Sequence, residues 1–177
     1  MTSAINYGEA LFLLASEEGT EEKMHGDAEC LSLAIKENPD YIKLLNTPAV
    51  SREERLALID RALLGMDKNL INLVKLLSDK HLAHKIPEAL SGFFDTYDEA
   101  MGICHAEAIS ARPLTDRELG RLKTNLEAQT GKTVIIKNLT DPTLLGGMKL
   151  RYMGREIDGA LKTRLDSFEK KLKDTVI

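Results

Sequence analysis

Few residues of this chain are spaced for chemistry. Gly131-Lys132-Thr133 has the form of the tail of a phosphate-binding loop, where backbone N–H groups and a lysine cradle a polyphosphate. The leading glycine of that motif falls at Leu126, and the segment follows a helical pattern rather than a strand, so Gly131 reads as a helix C-cap. His81 and His84 are spaced to share a helix face, yet no second pair at ligand spacing accompanies them, and no metal is expected. Cys104 and His105 are adjacent, and adjacent strand positions point to opposite faces, which separates the thiol from the imidazole that would activate it. Ser91 and Ser110 lack the G-x-S-x-G frame of a nucleophile elbow. The carboxylates fall on helix faces and caps. The reading is of a non-catalytic chain with no cofactor.

What remains is surface, and the charge on it is uneven. Lys and Arg number 24 and Asp and Glu 28, a net charge of -4. Residues 1–104 hold 10 basic and 18 acidic side chains, a net of -8, and residues 105–177 hold 14 and 10, a net of +4. The balance argues against a general nucleic-acid binder. The sign change, which coincides with a change of hydrophobic period, divides the chain into a domain at 1–104 and another at 105–177. Aromatic residues make up 5% and Trp is absent, so the cores must be aliphatic. No apolar run approaches the roughly 18 residues of a membrane span. The N-terminus lacks the basic start and cleavage site of a secretion signal, and Cys30 and Cys104 do not suggest a disulfide framework.

The first half reads as six helices joined by short turns, an antiparallel bundle. Tyr7, Ala10, Leu11, Leu14 and Ala15 recur at helical spacing, with Phe12 and Leu13 outside that stripe. Thr20 is expected to cap a second helix that ends at Asn38-Pro39. Ser51-Arg-Glu-Glu54 is a capping box, with Leu56, Ile59 and Leu63 as the buried stripe behind it. Asp67 caps a fifth helix over Lys68–Ser78, and a sixth covers Pro87 to Ile103. The fifth is apolar at six of the eight positions from Leu70 to Leu77. A helix that apolar is either central to the bundle or lines a groove that receives an amphipathic helix from another protein.

In the second half, residues 104–113 carry a strand signal, Thr115-Asp-Arg-Glu118 is a second capping box, and Leu119, Leu122 and Leu126 stripe a helix ending at Gly131. A β-branched strand at Thr133–Lys137 leads to a turn at 138–142. Met148, Leu150 and Tyr152 then alternate on a strand expected to pair with the preceding one. Gly154 supplies a tight turn. The paired Gly146 and Gly147 allow a bulge, and Asp158 and Gly159 open a last helix to Thr175 with Leu161, Leu165, Phe168 and Leu172 on one side. The fold class is therefore mainly α: a six-helix bundle followed by a small α/β sandwich.

Two segments carry a family resemblance. Tyr7-Gly-Glu-Ala-Leu-Phe12 is similar to a Tyr-Ala-x-Ala-Leu/Ile-Phe opening, with Gly8 where Ala is common. Asp141-Pro-Thr-Leu-Leu-Gly-Gly147, followed by Ile157-Asp-Gly-Ala-Leu-Lys-Thr-Arg-Leu165, resembles a Leu-x-Gly-Gly … Ile-Asp-Gly-Ser signature, with Ala160 at the usual Ser. Both belong to the delta subunit of bacterial ATP synthase, the counterpart of the mitochondrial oligomycin-sensitivity-conferring protein. The resemblance implies a stator subunit peripheral to the cytoplasmic face of the bacterial plasma membrane, reaching the membrane only through the complex. Its first domain would bind the N-terminal helix of an alpha subunit in a groove between the first and fifth helices, here Tyr7, Leu11, Leu14, Leu73, Leu76 and Leu77. Its second domain would hold the peripheral-stalk b subunits, on a basic surface assigned to Arg151, Arg155, Lys162, Arg164 and Lys170. Gly146, Gly147, Asp158 and Gly159 are expected to shape the fold. The alternatives are a free helical adaptor of another complex, or an RNA binder through the basic half, which has only Tyr152 and Phe168 for stacking.

Overall fold

Local punctuation sets the helices. The computed structural model describes residues 4–47, 49–144 and 146–159. The chain divides into two compact units, Met1–Ala100 and Met101–Ile177. The first holds α1 (Ala4–Glu18), α2 (Glu21–Glu37), α3 (Pro39–Asn46), α4 (Arg52–Ala62), α5 (Lys68–Asp79), a 3₁₀ turn (Ala83–Lys85) and α6 (Ile86–Ala100). Pro39 opens α3 at its first position, where a missing N–H costs nothing. Ser51 Oγ accepts from the Glu54 N–H while Glu54 accepts from the Ser51 N–H, closing the expected capping box. Asp67 caps α5 by accepting from the Asn69 N–H at 2.8 Å. Thr20 departs from expectation: its hydroxyl makes no cap bond and lies 3.5 Å from the Ala15 carbonyl, back on the preceding helix.

The core of this unit forms where α1 meets α6. Gly8 and Gly92 let the two backbones approach closely. A Cβ on Gly8 would collide with the Ala89 carbonyl, and one on Gly92 would lie 2.6 Å from the Ile5 carbonyl. Around this contact Phe12 meets Phe93 and Tyr97 at ring-centroid distances of 6.2 and 6.3 Å, and His25 of α2 lies 4.3 Å from the Tyr97 ring. Phe12 thus belongs to the core rather than to a surplus face, because the α1 stripe that meets α6 is Ala4, Gly8, Leu11, Phe12 and Ala15. Each fully buried Leu, Ile or Phe contributes about 1.5–3 kcal/mol of hydrophobic stabilisation. Leu31, Leu45, Ile59, Leu70, Leu77, Ile86 and Phe93 belong to that class.

The second unit holds β1 (Ile103–Ser110), α7 (Asp116–Thr130), β2 (Thr133–Thr140), β3 (Met148–Tyr152) and β4 (Arg155–Asp158). The four strands order as β2-β1-β3-β4, with β1 and β2 parallel and the other two pairs antiparallel. β1–α7–β2 is therefore a crossover unit, and α7 covers one face of the sheet. There Cys104, Ala106, Ala108, Val134 and Leu150 pack with Leu126, and the small alanines leave room for the helix. The Thr115 capping box forms as expected, and Gly131 closes α7 in the left-handed region at φ 67°.

Two expectations change here. The strand Met148–Tyr152 pairs with β1, not with the strand before it. A parallel β1–β2 pair occupies one side of β1, so the chain crosses the end of β1 to reach its open side, and the Asp141 N–H bonds the Ser110 carbonyl on the way. The segment expected to turn at 138–142 stays in β2 as far as Thr140, since Asn138, Leu139 and Thr140 continue the ladder opposite Ala108, Ile109 and Ser110. Met153 and Gly154, at φ 47° and 70°, form the two-residue turn into β4 that sequence assigned to Gly154. The expected last helix, with Lys162, Arg164 and Lys170, lies outside the described residues. Among those described, no helix is long and apolar enough to cross a membrane.

Candidate functional site

α1 carries two apolar faces. Leu11, Phe12 and Ala15 turn inward, while Tyr7, Ala10 and Leu14, at i, i+3 and i+7, line the outer edge. α5 does the same with Leu70, Leu73, Val74 and Leu77 buried, and Asn69, Asn72 and Leu76 toward the outside. Between the two edges runs an open groove of about 270 Å³, lined by Tyr7, Ala10, Leu11, Leu14, Asn69, Asn72, Leu73 and Leu76. Five of the six residues expected from sequence meet there. Leu77, the sixth, is 0% exposed and does not line the groove.

Exposure separates walls from floor. Leu14 and Leu76 are 44% and 42% exposed and stand at the walls, whereas Leu11 at 2% and Leu73 at 7% form the floor. Ala10, the small residue between Tyr7 and Leu14, keeps the α1 wall low at its middle. Sequence reasoning missed the wall residues Asn69 and Asn72, although they sit at i−7 and i−4 from Leu76, the spacing that would have found them. Covering two half-exposed leucines removes apolar area worth about 1 kcal/mol or more each at roughly 25 cal/mol per Å².

The ends of the groove are polar and held. At one end the Lys80 ammonium donates to the Tyr7 phenol oxygen at 3.1 Å and lies 5.6 Å from the ring centroid, fixing the ring against the wall. Close by in sequence, Asp79 is engaged by Arg52 at 2.7 Å. At the other end Glu18 accepts from Lys68 at 3.0 Å and from the Asn69 amide at 3.1 Å. These bonds tie α1 to α5 at both ends, so the groove is preformed. The groove offers apolar walls, two amides and charges at its rim, a chemistry that suits the apolar face of an amphipathic helix.

Of the basic residues assigned to a second surface, Arg151 and Arg155 lie among the described residues, and these two do not share a face. Arg151 pairs opposite Glu156 and Arg155 opposite Tyr152 in the β3–β4 register, which places the two arginines on opposite faces of the pleat. Arg151 is already bound by Glu156 at 2.6 Å, which holds its guanidinium even more firmly protonated. Gly146 and Gly147, both at positive φ, line a hollow of about 680 Å³ at the end of β1, together with Ser110, Arg112, Met148 and Gly159. The Gly159 N–H bonds the Met148 carbonyl at 2.9 Å, so this glycine prolongs the β4 ladder. Asp158 ends β4 and lies 3.4 Å from Lys149, and the helix it is expected to open lies outside the described residues. Beside the hollow, Arg112 and the two Thr115 bonds hold the Glu118 carboxyl far below its ordinary range, at about 2.

The family profile described as ATP synthase delta (OSCP) subunit matches residues 4–172. Among curated proteins, the ATP synthase subunit delta of Geobacillus sp. (strain WCH70) is 32% identical over 170 residues, covering 96% of both chains. That of Beijerinckia indica subsp. indica is 33% identical over 171 residues, covering 95% of this chain and 90% of its own. Among solved structures, a chain of the Toxoplasma gondii mitochondrial ATP synthase hexamer, determined by cryo-electron microscopy, shares the fold at a TM-score of 0.72. It is 21% identical, and the match covers 97% of this chain and 98% of that one.

Proposed function

Because the chain belongs to the ATP synthase delta (OSCP) subunit family, we propose that it works as a non-catalytic stator subunit of a proton-translocating ATP synthase. The α1–α5 groove takes the N-terminal helix of an alpha subunit, and the second unit holds the peripheral-stalk b subunits. The helices of the first unit form the bundle that seats on the catalytic head. The chain then sits at the cytoplasmic face of the membrane and reaches it through the complex.

The observation that carries this reading is the preformed groove, with Leu14 and Leu76 half exposed on facing walls. A central shaft turning inside the head exerts torque on it. A static link to the membrane stator must therefore hold without letting go. Apolar burial of a helix supplies holding that does not depend on a single bond, while rim charges govern orientation and approach.

Calorimetry with a synthetic peptide of the alpha-subunit N-terminus tests the groove. Leu14→Glu combined with Leu76→Glu should weaken binding by at least about a hundredfold, because two charges would be desolvated on burial. Both side chains are half exposed, so the circular-dichroism spectrum should stay that of the parent. Unchanged peptide affinity in a folded variant would remove the groove from the account.

A further inference from the structure

The groove described above runs between two poles of opposite charge. Its α1 wall, Tyr7, Ala10 and Leu14, continues by one turn into Glu17 and Glu18. Three residues after Glu18, α2 opens with Glu21 and Glu22. Glu18 is matched by Lys68, and Lys23 is the nearest other cation in sequence, so carboxylate charge remains in excess at this end. At the opposite end Lys80 stands at the C-cap of α5 against Tyr7, and the adjacent carboxylate of Asp79 is taken by Arg52. From Tyr7 to Glu18 the helix rises roughly 16 Å at about 1.5 Å per residue. That exceeds the Debye length of about 8 Å at physiological ionic strength, so each pole acts on its own end of whatever lies in the groove.

We infer that the occupant of the α1–α5 groove is a charge-polarised amphipathic helix, seated with acidic side chains at the Tyr7–Lys80 end and basic side chains at the Glu17–Glu18 end. This rests on the reading of the groove as a helix receptor and adds the charge order and the direction in which the helix lies. Apolar walls hold the helix without choosing its direction, because a stripe of leucines reads nearly alike both ways. The poles break that symmetry. Asn69 and Asn72 lie on one wall only and meet the polar edge of the stripe.

The test uses the full chain and a designed 18-residue amphipathic peptide with glutamates in its first two turns and lysines in its last two. A nitroxide is placed at one end or the other, and paramagnetic broadening is read by NMR. A label at the acidic end should broaden Tyr7, Leu76 and Lys80, and a label at the basic end Leu14 and Asn69. A second peptide with the charges exchanged should lie in the reverse chain direction, keeping its acidic end at Lys80. Lys80→Glu should weaken the peptide about fivefold at low salt, an effect of the size expected for one rim charge, and the loss should shrink as salt rises. Equal broadening from both labels, or a chain direction unaltered by charge exchange, would overturn the polarity. Competition by the alpha-subunit peptide separates the two ideas. If the designed peptide seats as described but the alpha peptide fails to displace it, the polarity stands and the partner assignment falls.

Discussion

The two units bury their apolar residues in different ways, and the difference bears on what each can do. In the first, α1 and α6 interlock through Gly8 and Gly92 and enclose Phe12, Phe93 and Tyr97. That inner contact satisfies α1 and leaves its outer edge free to form a wall with α5. In the second, a sheet buries Cys104, Ala106, Ala108, Val134 and Leu150 against α7, whose own buried contribution is Leu126. A helix with a second apolar face is suited to receiving another helix. A sheet whose small residues are spent on one helix offers instead ladders, loops and paired charges.

The largest effect expected from breaking this contrast is inside α5. Leu77→Glu buries an unpaired carboxylate at a fully enclosed site and should cost more than about 4 kcal/mol, collapsing the helical signal of the first unit in a urea titration. The neighbouring Leu76→Glu should leave the same titration within about 0.5 kcal/mol of the parent, since its side chain already meets solvent. A folded Leu77→Glu would mean that α5 turns a different face inward.

Next in size, Thr115→Ala removes the capping box of α7 and should cost about 1 kcal/mol. The loss should appear in amide exchange of β1, β2 and α7, with Phe93 and its neighbours unmoved. Equal loss in both units would contradict their separate cores.

The smallest effect is one of pH. Glu118 titrates near 2 in the folded chain because Arg112 and Thr115 hold its carboxylate, below its ordinary value of 4.5. A depressed carboxyl stabilises the fold above its unfolded value, and that contribution is lost as pH falls from about 4.5 toward 2. Glu118→Gln should flatten this acid limb in the second unit and leave stability at pH 7 to 8 with the same shape of pH dependence.

Which of these features could be read from sequence follows from how local they are. The Ser51 and Thr115 boxes, the Asp67 cap and the Gly131 terminus each involve groups within four residues, and they stand where their spacing put them. The groove was legible as a surplus of apolar positions on the first and fifth helices. Its membership was not, because six apolar positions in eight leave Leu76 and Leu77 indistinguishable until α5 is seated. The same blindness assigned Phe12 to the outside, when Gly8 sets the α6 face one position away. The partner of β3 was hidden for a different reason: alternation names the face of a strand and says nothing of which edge it will find. Arg151 and Arg155 likewise looked like one basic surface until the two-residue turn at Met153-Gly154 fixed their register.

The proposed function ties this chain to the catalytic head through the groove on its first unit. Proton-driven ATP synthesis in vesicles reconstituted with the Leu14→Glu, Leu76→Glu chain tests it most directly. Synthesis should be lost while ATP hydrolysis by the detached head is unchanged. Synthesis at the parental rate, with the variant folded and present in the complex, would contradict it.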